Sequence, residues 1–386
     1  MPKISIFTPS NNSSFLHEVY ASIKDQDFFE WMILFNHEGE PIDFGDPRVK
    51  GMVVYGLPEN VGALKAAACE RCTGDILLEL DHDDLFCPTA IEEVNQAFAD
   101  ESVGFVYSNC IRVMGDLSKV PEAGRINPHY GWQYRDTEFR GQPVEELISF
   151  EPSPEMVSRV WFAPDHLRAF RRSVYLEVGG YDRSMKVLDD SDLMCRMYQV
   201  TKFHHIDKPL YVYRIHGENA WLKHNQEIQN GVWPLYEKYI DALVDRACAL
   251  RGLENVVLTA TDQLANYADS SVGVIRAIDQ FQRYSDSLTI MREVYRVLAP
   301  GGWVLTTVPS TDGRGAFQSP GVKSYWNVNS FKYYTEARLA QYIGTPARFQ
   351  AVRLYDTEKD VDGVIWTRAH LLSLKGGYKP CGLVAI

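Results

Sequence analysis

The chain has 386 residues, more than one ordinary domain needs, and length alone favours two domains. Asp plus Glu number 51 against 39 for Lys plus Arg, a formal charge of −12, and 45% of the residues are hydrophobic. This balance excludes global disorder and argues against a broad nucleic-acid surface, while leaving room for a local site that meets phosphate through a metal ion.

Met1-Pro2-Lys3 runs straight into an apolar strand, Ile4–Phe7, with no basic-plus-apolar signal peptide ahead of it. No apolar run approaches the ~18–20 residues of a membrane span, so no transmembrane segment is expected. The seven cysteines are an odd number spread over a long chain, which suits reduced thiols and a cytoplasmic location. Cys69 and Cys72 form a C-x-x-C, but their surroundings read as helix and no second pair stands at zinc-like spacing.

Strand-like and helix-like stretches alternate through the first half. Ile4–Phe7 ends in Thr8-Pro9-Ser10, and Phe15, Val19 and Ile23 then keep helical spacing. Glu30–Phe35 and Gly51–Tyr55 read as strands, residues 61–72 as a helix, and Ile76–Leu80 as a strand running into Asp81-His82-Asp83-Asp84. A helix over 89–98 and a strand at Val103–Tyr107 follow. This alternation predicts an α/β fold, a mostly parallel sheet with helices on both faces.

Residues 114–165 break the rhythm with prolines, glycines and the aromatics Tyr130, Trp132, Tyr134, Phe139, Trp161 and Phe162. Two readings stand side by side: an acceptor-binding insertion, or a loop packed on the body. After a helix-like Trp233–Leu250 the pattern restarts. A strand at Val256–Thr259, an apolar segment at Val272–Ile278, a helix over about 286–298 and a Pro300-Gly301-Gly302 turn lead into a strand, Trp303–Val308.

The chemistry concentrates at Asp81-His82-Asp83. In open α/β sheets ligands bind outside the carboxyl ends of the strands, and two carboxylates two residues apart there offer oxygen ligands to Mg²⁺ or Mn²⁺. Alone, such a pair is only an acidic turn. Its context is Pro58-Glu59-Asn60-Val61-Gly62-Ala63-Leu64-Lys65 upstream, then Val178-Gly179-Gly180-Tyr181-Asp182, Asp189-Asp190-Ser191-Asp192 and Tyr211-Val212-Tyr213-Arg214-Ile215-His216 downstream. The acids at 189–192 also suit a helix start, where the helix dipole favours them.

This ordered set, from Ile4 to about Trp221, resembles the family 2 glycosyltransferases of the GT-A fold. The resemblance implies that Thr8, Pro9 and Ser10 lie under the nucleoside of a sugar-nucleotide donor. Asn60, Gly62 and Lys65 would line the ribose or diphosphate, and Asp81 and His82 would join the donor contacts. Asp81, Asp83 and His216 would hold the metal, and Asp190 would be the general base. Trp132, Trp161, Asp182 and Asp189 are candidate acceptor contacts. The second strand departs from the family pattern by ending Phe35-Asn36-His37, so Asn36 would replace a carboxylate at the base. The basic group His166, Arg168, Arg171 and Arg172 would touch donor phosphates, an anionic acceptor, or only solvent.

The implied activity is metal-dependent transfer of a sugar from a nucleoside diphosphate donor, uridine by preference, to a hydroxyl acceptor with inversion. The acceptor would be a glycan, a lipid-linked molecule or a small molecule, and no nucleic acid is expected as a partner. Residues 1–245 would form the transferase domain, with 114–165 as its acceptor-side insertion.

Residues 246–386 resemble the second half of a class I methyltransferase, through Asp269–Ala277 and Met291–Gly302. The glycine-rich loop that binds S-adenosylmethionine in that fold has no counterpart, since Gly252 is the only glycine between 246 and 269. No S-adenosylmethionine binding is therefore expected from this partial domain. A half-sheet leaves an edge to be covered, which makes a homodimer an option. The alternatives to a transferase are a non-catalytic nucleotide-sugar or glycan binder with decayed domains, and a methyltransferase completed by a partner.

Overall fold

The computed structural model describes residues 2–37, 40–57, 60–126, 131–259 and 263–381. Pro58, Glu59 and Tyr130, quoted above, lie outside the described residues. The chain divides between Ile240 and Asp241 into two compact units, each with its own sheet. Among the described residues no helix is long and apolar enough to cross a membrane.

The first unit runs β1 (Ile4–Ser10), α1 (Leu16–Ile23), β2 (Glu30–Phe35), β3 (Val49–Val53), α2 (Val61–Arg71), β4 (Ile76–Glu79), β5 (Leu85–Phe86), α3 (Ala90–Ala97) and β6 (Val103–Met114). It continues with β7 (Gln133–Phe139), β8 (Gln142–Ile148), α4 (Pro154–Arg159), β9 (Arg168–Arg171), α5 (Arg172–Glu177), α6 (Asp189–Val200), β10 (Lys202–Ile215) and α7 (Ala220–Lys223). Helix α8 (Asn225–Leu250) carries the chain into the second unit.

The sheet order is β3-β2-β1-β4-β9-β6-β10-β5, and the β7–β8 hairpin joins it through β8 on β6. Every residue of β1 and β2 is buried, as strands in the middle of a sheet covered on both faces are, and the polar Ser5, Thr8, Ser10 and Glu30 among them are hydrogen-bonded inside. Among the described residues of this unit, only the pairs β1–β2, β2–β3, β1–β4 and β6–β10 are parallel. The other pairings are antiparallel, so the sheet is mixed and not mostly parallel. Part of the difference comes from β9, whose Ala169 and Phe170 are too short an apolar run to announce a strand between two arginines, and the rest from the two-residue β5 and the β7–β8 hairpin. Within 114–165 the chain is largely ordered as hairpin and helix, with Trp132 enclosed by Phe150 and Phe162 at centroid distances of 4.3 and 5.0 Å.

Glu30 opens β2 as a buried acid. It accepts hydrogen bonds from the Ser5 hydroxyl (2.7 Å), the Thr73 amide (2.6 Å) and the Thr73 hydroxyl (2.9 Å), and pairs with Lys50 at 2.9 Å. Burial opposes ionisation, yet these donors hold the carboxyl at about 2, below its ordinary 4.5. A depressed carboxyl contributes stability above its unfolded pKa, and that contribution disappears as pH falls through the folded value. Glu30→Gln is therefore expected to lower unfolding free energy by roughly 2–3 kcal/mol at neutral pH. Urea titrations should show the gap to the parent closing as pH falls from about 4.5 to 2; a gap that stays constant would refute the assignment.

The second unit holds β11 (Glu254–Val257), β12 (Val272–Ile278), α9 (Ser287–Val297), β13 (Leu298–Pro309), α10 (Val328–Thr335), α11 (Ala337–Ala340), β14 (Phe349–Asp356) and β15 (Trp366–Ser373). Its sheet order is β11-β12-β13-β15-β14, parallel through the first three strands and antiparallel in the last two pairings. Asp286 caps α9 by accepting from the Leu288 and Thr289 amides, and Ile290, Met291, Val294 and Val297 bury one face. Pro300-Gly301-Gly302 lies inside β13 as a bulge, since Leu298 pairs with Val272 and Trp303 already with Val274. Gly301 has φ +67°, and a side chain there would also strike the Tyr378 ring at 2.6 Å.

Candidate active site at the carboxyl edge of the first sheet

Strands β1 and β4 are parallel neighbours, so the sequences that follow them emerge on the same edge. Thr8 is fully buried there. Its hydroxyl donates to the Leu80 carbonyl (2.6 Å) and accepts from the Trp31 indole (2.8 Å), which joins β1, β2 and the end of β4. The Ser10 hydroxyl likewise donates to the Asn12 carbonyl at 2.9 Å. Thr8 and Ser10 thus shape the floor, with their side-chain hydrogen bonds already made within the protein. Asn36 is half-buried beside them, its amide bonded to the Ser10 carbonyl at 3.0 Å. His82 Nδ1 lies 3.3 Å from the Pro9 carbonyl.

Glu79 closes β4 and is wholly buried. A carboxylate so placed needs cations, and three surround it: Lys65 Nζ at 2.6 Å, His166 Nε2 at 3.7 Å and Arg168 Nη1 at 3.8 Å. Burial opposes its ionisation, but Lys65, His166 and Arg168 hold it well below the usual carboxylate range. Two of these cations reach onward to the acids that open α6. Lys65 stands 3.6 Å from Asp189 and Arg168 Nη1 donates to Asp190 at 2.6 Å. One charge network thereby joins the strand end to the helix start.

The two acids of α6 differ in exposure. The Asp189 side chain is 5% exposed and faces Lys65, and burial pushes its carboxyl up to about 6 against the pull of that lysine. The Asp190 side chain is 24% exposed, and Arg168 and Lys65 hold it ionised below the ordinary range although burial opposes them. Asp190 is therefore the acid of the pair that a solvent-borne hydroxyl can reach. Asp189, expected as an acceptor contact, is a buried partner of Lys65.

Asp81, beyond the strand end, donates its amide N–H to the Tyr211 hydroxyl (3.2 Å), and its carboxylate lies 3.8 Å from His166. Its carboxyl is raised, by burial first, although His166 pulls the other way. Burial and Arg168 both oppose protonation of His166, yet Asp165, Glu79 and Asp81 lift its imidazole to about 10. Asp83 pairs with His216 at 2.7 Å, and Phe15 stacks on the His216 ring at a centroid distance of 5.7 Å. Asp84 is buried and accepts from the Arg214 amide at 2.7 Å, which fastens the acidic loop to β10.

Among the described residues, only Glu79, Asp81 and His166 bring three donor atoms within 4.8 Å of one another. The expected trio divides: Asp83 and His216 meet, while Asp81 turns toward His166. Hard oxygen donors and an imidazole suit Mn²⁺ or Mg²⁺ at either place. Glu79, however, is already occupied by Lys65 and Arg168, whereas Asp83 pairs with His216, whose Nδ1 accepts from the Glu218 amide at 3.2 Å, and both side chains are partly open, at 13% and 18%.

Other expected contacts move into structural roles. Asn60 caps α2, accepting from the Ala63 amide at 2.7 Å and donating to the Arg183 carbonyl at 3.1 Å. Lys65 is buried in its ion pairs and does not line an open diphosphate groove. Trp132 is 3% exposed and offers little surface to an acceptor, being packed between aromatic rings. Asp182 makes a turn with the Ser184 amide and hydroxyl. Trp161 remains half-buried beside the acid pair, its carbonyl 3.3 Å from the Ser191 hydroxyl. Arg171 serves the backbone carbonyls of Val103, Phe98 and Asp100.

Gly62 has a steric reason. A Cβ there would lie 3.0 Å from the carbonyls of Asp182 and Met185 and 3.1 Å from Asp189 Cβ. Helix α2 thus packs directly onto the segment that leads to the acid pair. Gly62→Ala is expected to destabilise by about 1–3 kcal/mol and to lower activity more than thermal stability at assay temperature would explain. An unchanged melting temperature would contradict this packing.

Glu79 and Asp165 were not singled out, and Arg168, offered to phosphates, an anionic acceptor or solvent, instead binds Glu79 and Asp190. The available signal was Glu79 itself, an acid inside the apolar run Ile76-Leu77-Leu78-Glu79-Leu80, two residues before Asp81.

No family model matches the chain. It is 24% identical over 234 residues to a chondroitin synthase of Escherichia coli, a match covering 58% of this chain and 30% of that protein. It is 23% identical over 235 residues to a hyaluronan synthase of Pasteurella multocida, covering 58% of this chain and 21% of that one. The chain thus spans less than a third of the curated relatives it matches. Among solved structures, Staphylococcus aureus TarS 1–349 in complex with UDP-GlcNAc superposes with a TM-score of 0.44 at 12% identity, over 64% of this chain and 73% of that one.

Proposed function

We propose that the chain is a glycosyltransferase of the GT-A type that moves a sugar from a nucleoside diphosphate donor, uridine by preference, to a hydroxyl group. The sequence similarity to polysaccharide synthases supports the class. The observation that carries the reading is the charge network itself, in which Lys65 and Arg168 bind the strand-end acid Glu79 and the helix acids Asp189 and Asp190 into one site.

In this reading Asp190, ionised and reachable, accepts the proton of the acceptor hydroxyl as its oxygen attacks the anomeric carbon. The bond from that carbon to the diphosphate breaks, and its electron pair leaves with the diphosphate, giving inversion. Trp161 would flank the acceptor. Pro9, Ser10, Asn36 and His82 stand at the edge where the nucleoside would lie. Mn²⁺ or Mg²⁺ held by Asp83 and His216, with Asp81 adjacent, would offset charge on the departing diphosphate. The acceptor class is a glycan, a lipid-linked molecule or a small molecule.

Residues 1–245 would then be the transferase domain, with 114–165 on the acceptor side. Residues 246–386 would be a partial methyltransferase-like domain without S-adenosylmethionine binding. Its supports are the α9–β13 connection and the lack of any glycine between residues 253 and 269.

Calorimetry with UDP and with GDP, each with and without Mn²⁺, tests the donor and metal together. UDP should bind more tightly with Mn²⁺, and Asp83→Ala or His216→Ala should weaken that Mn²⁺-dependent binding by about 10-fold or more. No binding of either nucleotide under either condition would overturn the reading.

A further inference from the structure

The second unit carries a depression of about 380 Å³ whose wall begins where a parallel strand ends. Strand β13 stops at Pro309, and the lining starts at Thr311 and continues through Asp312, Arg314 and Phe317, with Lys359 opposite. Ligands of α/β sheets gather outside the carboxyl ends of parallel strands, and this volume is in the range of small-molecule sites.

The wall is fixed in place. The Ser310 amide donates to the Ile365 carbonyl at 2.8 Å, the Thr311 amide to the Trp326 carbonyl at 2.9 Å, and the Asn327 side chain to the Thr311 hydroxyl at 2.8 Å. Gly313 and Gly315 flank Arg314 and lie against the segment before β15. A Cβ on Gly313 would come within 3.0 Å of Ile365, and one on Gly315 within 2.4 Å of Val364. The two glycines therefore let the loop lie flat with Arg314 held between them.

The chemistry of the lining is mixed in a specific way. Arg314 and Lys359 are both exposed; Arg314 donates to the Asp362 carbonyl, and neither cation meets a carboxylate among the described residues. Asp312 adds an exposed acceptor. Phe317 is 64% exposed and stacks on Tyr325, 57% exposed, with centroids 5.3 Å apart. A flat aromatic platform beside a guanidinium, an ammonium and a carboxylate matches a ligand with an apolar ring face, hydroxyl donors and an acidic group.

We propose that this depression binds an acidic saccharide, with a pyranose face on Phe317, hydroxyls on Asp312 and Thr311, and the acidic group on Arg314 and Lys359. The site is separate from the charge network of the first unit and does not rest on sugar transfer there. It gives the second unit a binding role that needs no S-adenosylmethionine.

Titration of the full chain with trigalacturonate, neutral maltotriose and UDP, followed by calorimetry and ligand-observed NMR, tests this. Trigalacturonate should saturate the protein, and maltotriose should bind at least about 10-fold more weakly. Arg314→Ala and Phe317→Ala should each weaken trigalacturonate by about 10-fold with unchanged thermal unfolding. Four results would overturn the proposal: no saturation by trigalacturonate, equal binding of maltotriose, displacement of trigalacturonate by UDP, or binding indifferent to both substitutions. UDP binding to the first unit is read in the same titrations, so failure of one assignment is distinguishable from failure of the other.

Discussion

Asp190→Asn is expected to lower turnover by about 10²–10⁴-fold while nucleotide affinity stays within about 3-fold of the parent. The substitution keeps the shape of the side chain and removes its charge together with its capacity to take a proton. Arg168 loses a charged partner but retains Glu79 at 3.8 Å and the Pro164 carbonyl at 2.9 Å, so the site should stay assembled. Steady-state rates together with UDP calorimetry separate the two effects. Turnover within 10-fold of the parent would remove Asp190 from the role of base. A parallel loss of UDP binding would instead make it a structural acid.

The largest effect on stability is expected at Glu79. Glu79→Gln leaves Lys65 and Arg168 buried beside a neutral amide, and breaking a buried pair from one side typically costs about 3–5 kcal/mol. Lys65 keeps Asp189, at 3.6 Å, and the Tyr181 ring, whose centroid is 5.6 Å from the ammonium. The double variant Glu79→Gln, Lys65→Met removes the stranded ammonium and should recover a substantial part of the loss, giving a coupling energy of at least about 1 kcal/mol. Chemical denaturation of the parent, both single variants and the double variant measures it. Additive losses would show that the two side chains do not depend on each other.

The sequence made the strands legible where apolar runs were long. Glu30–Phe35 begins and ends where β2 does, and the helix over 61–72 differs from α2 by one residue. It was least informative where a strand was short and flanked by charge. Arg168–Arg171 read as a basic surface, because two residues of apolar character cannot display a period of two. That strand adds two of the antiparallel pairings that make the sheet mixed and delivers Arg168 to the site. The acidic motifs were visible as spacing, but spacing does not reveal which carboxylate turns inward. Asp189 and Asp190 are adjacent in sequence and, on a helix, point about 100° apart, so one meets Lys65 in the interior and the other meets Arg168 with one side open to solvent.

Strand β9 also decides how the first sheet is held together. On one side stand β3, β2, β1 and β4, on the other β6, β10 and β5, and in the sheet order β9 is all that lies between β4 and β6. Its four residues pair Leu77 with Phe170 and Leu78 with Ala169 on one flank, and Phe105 and Val106 with the same two residues on the other. The half that bears Glu79 and Asp81 and the half that bears Asp83's partner His216 are thus riveted along one narrow seam. A slip of one residue there would turn Arg168 to the opposite face of the sheet. The placing of the Arg168 guanidinium opposite Glu79 is then set by the registration of this short rivet.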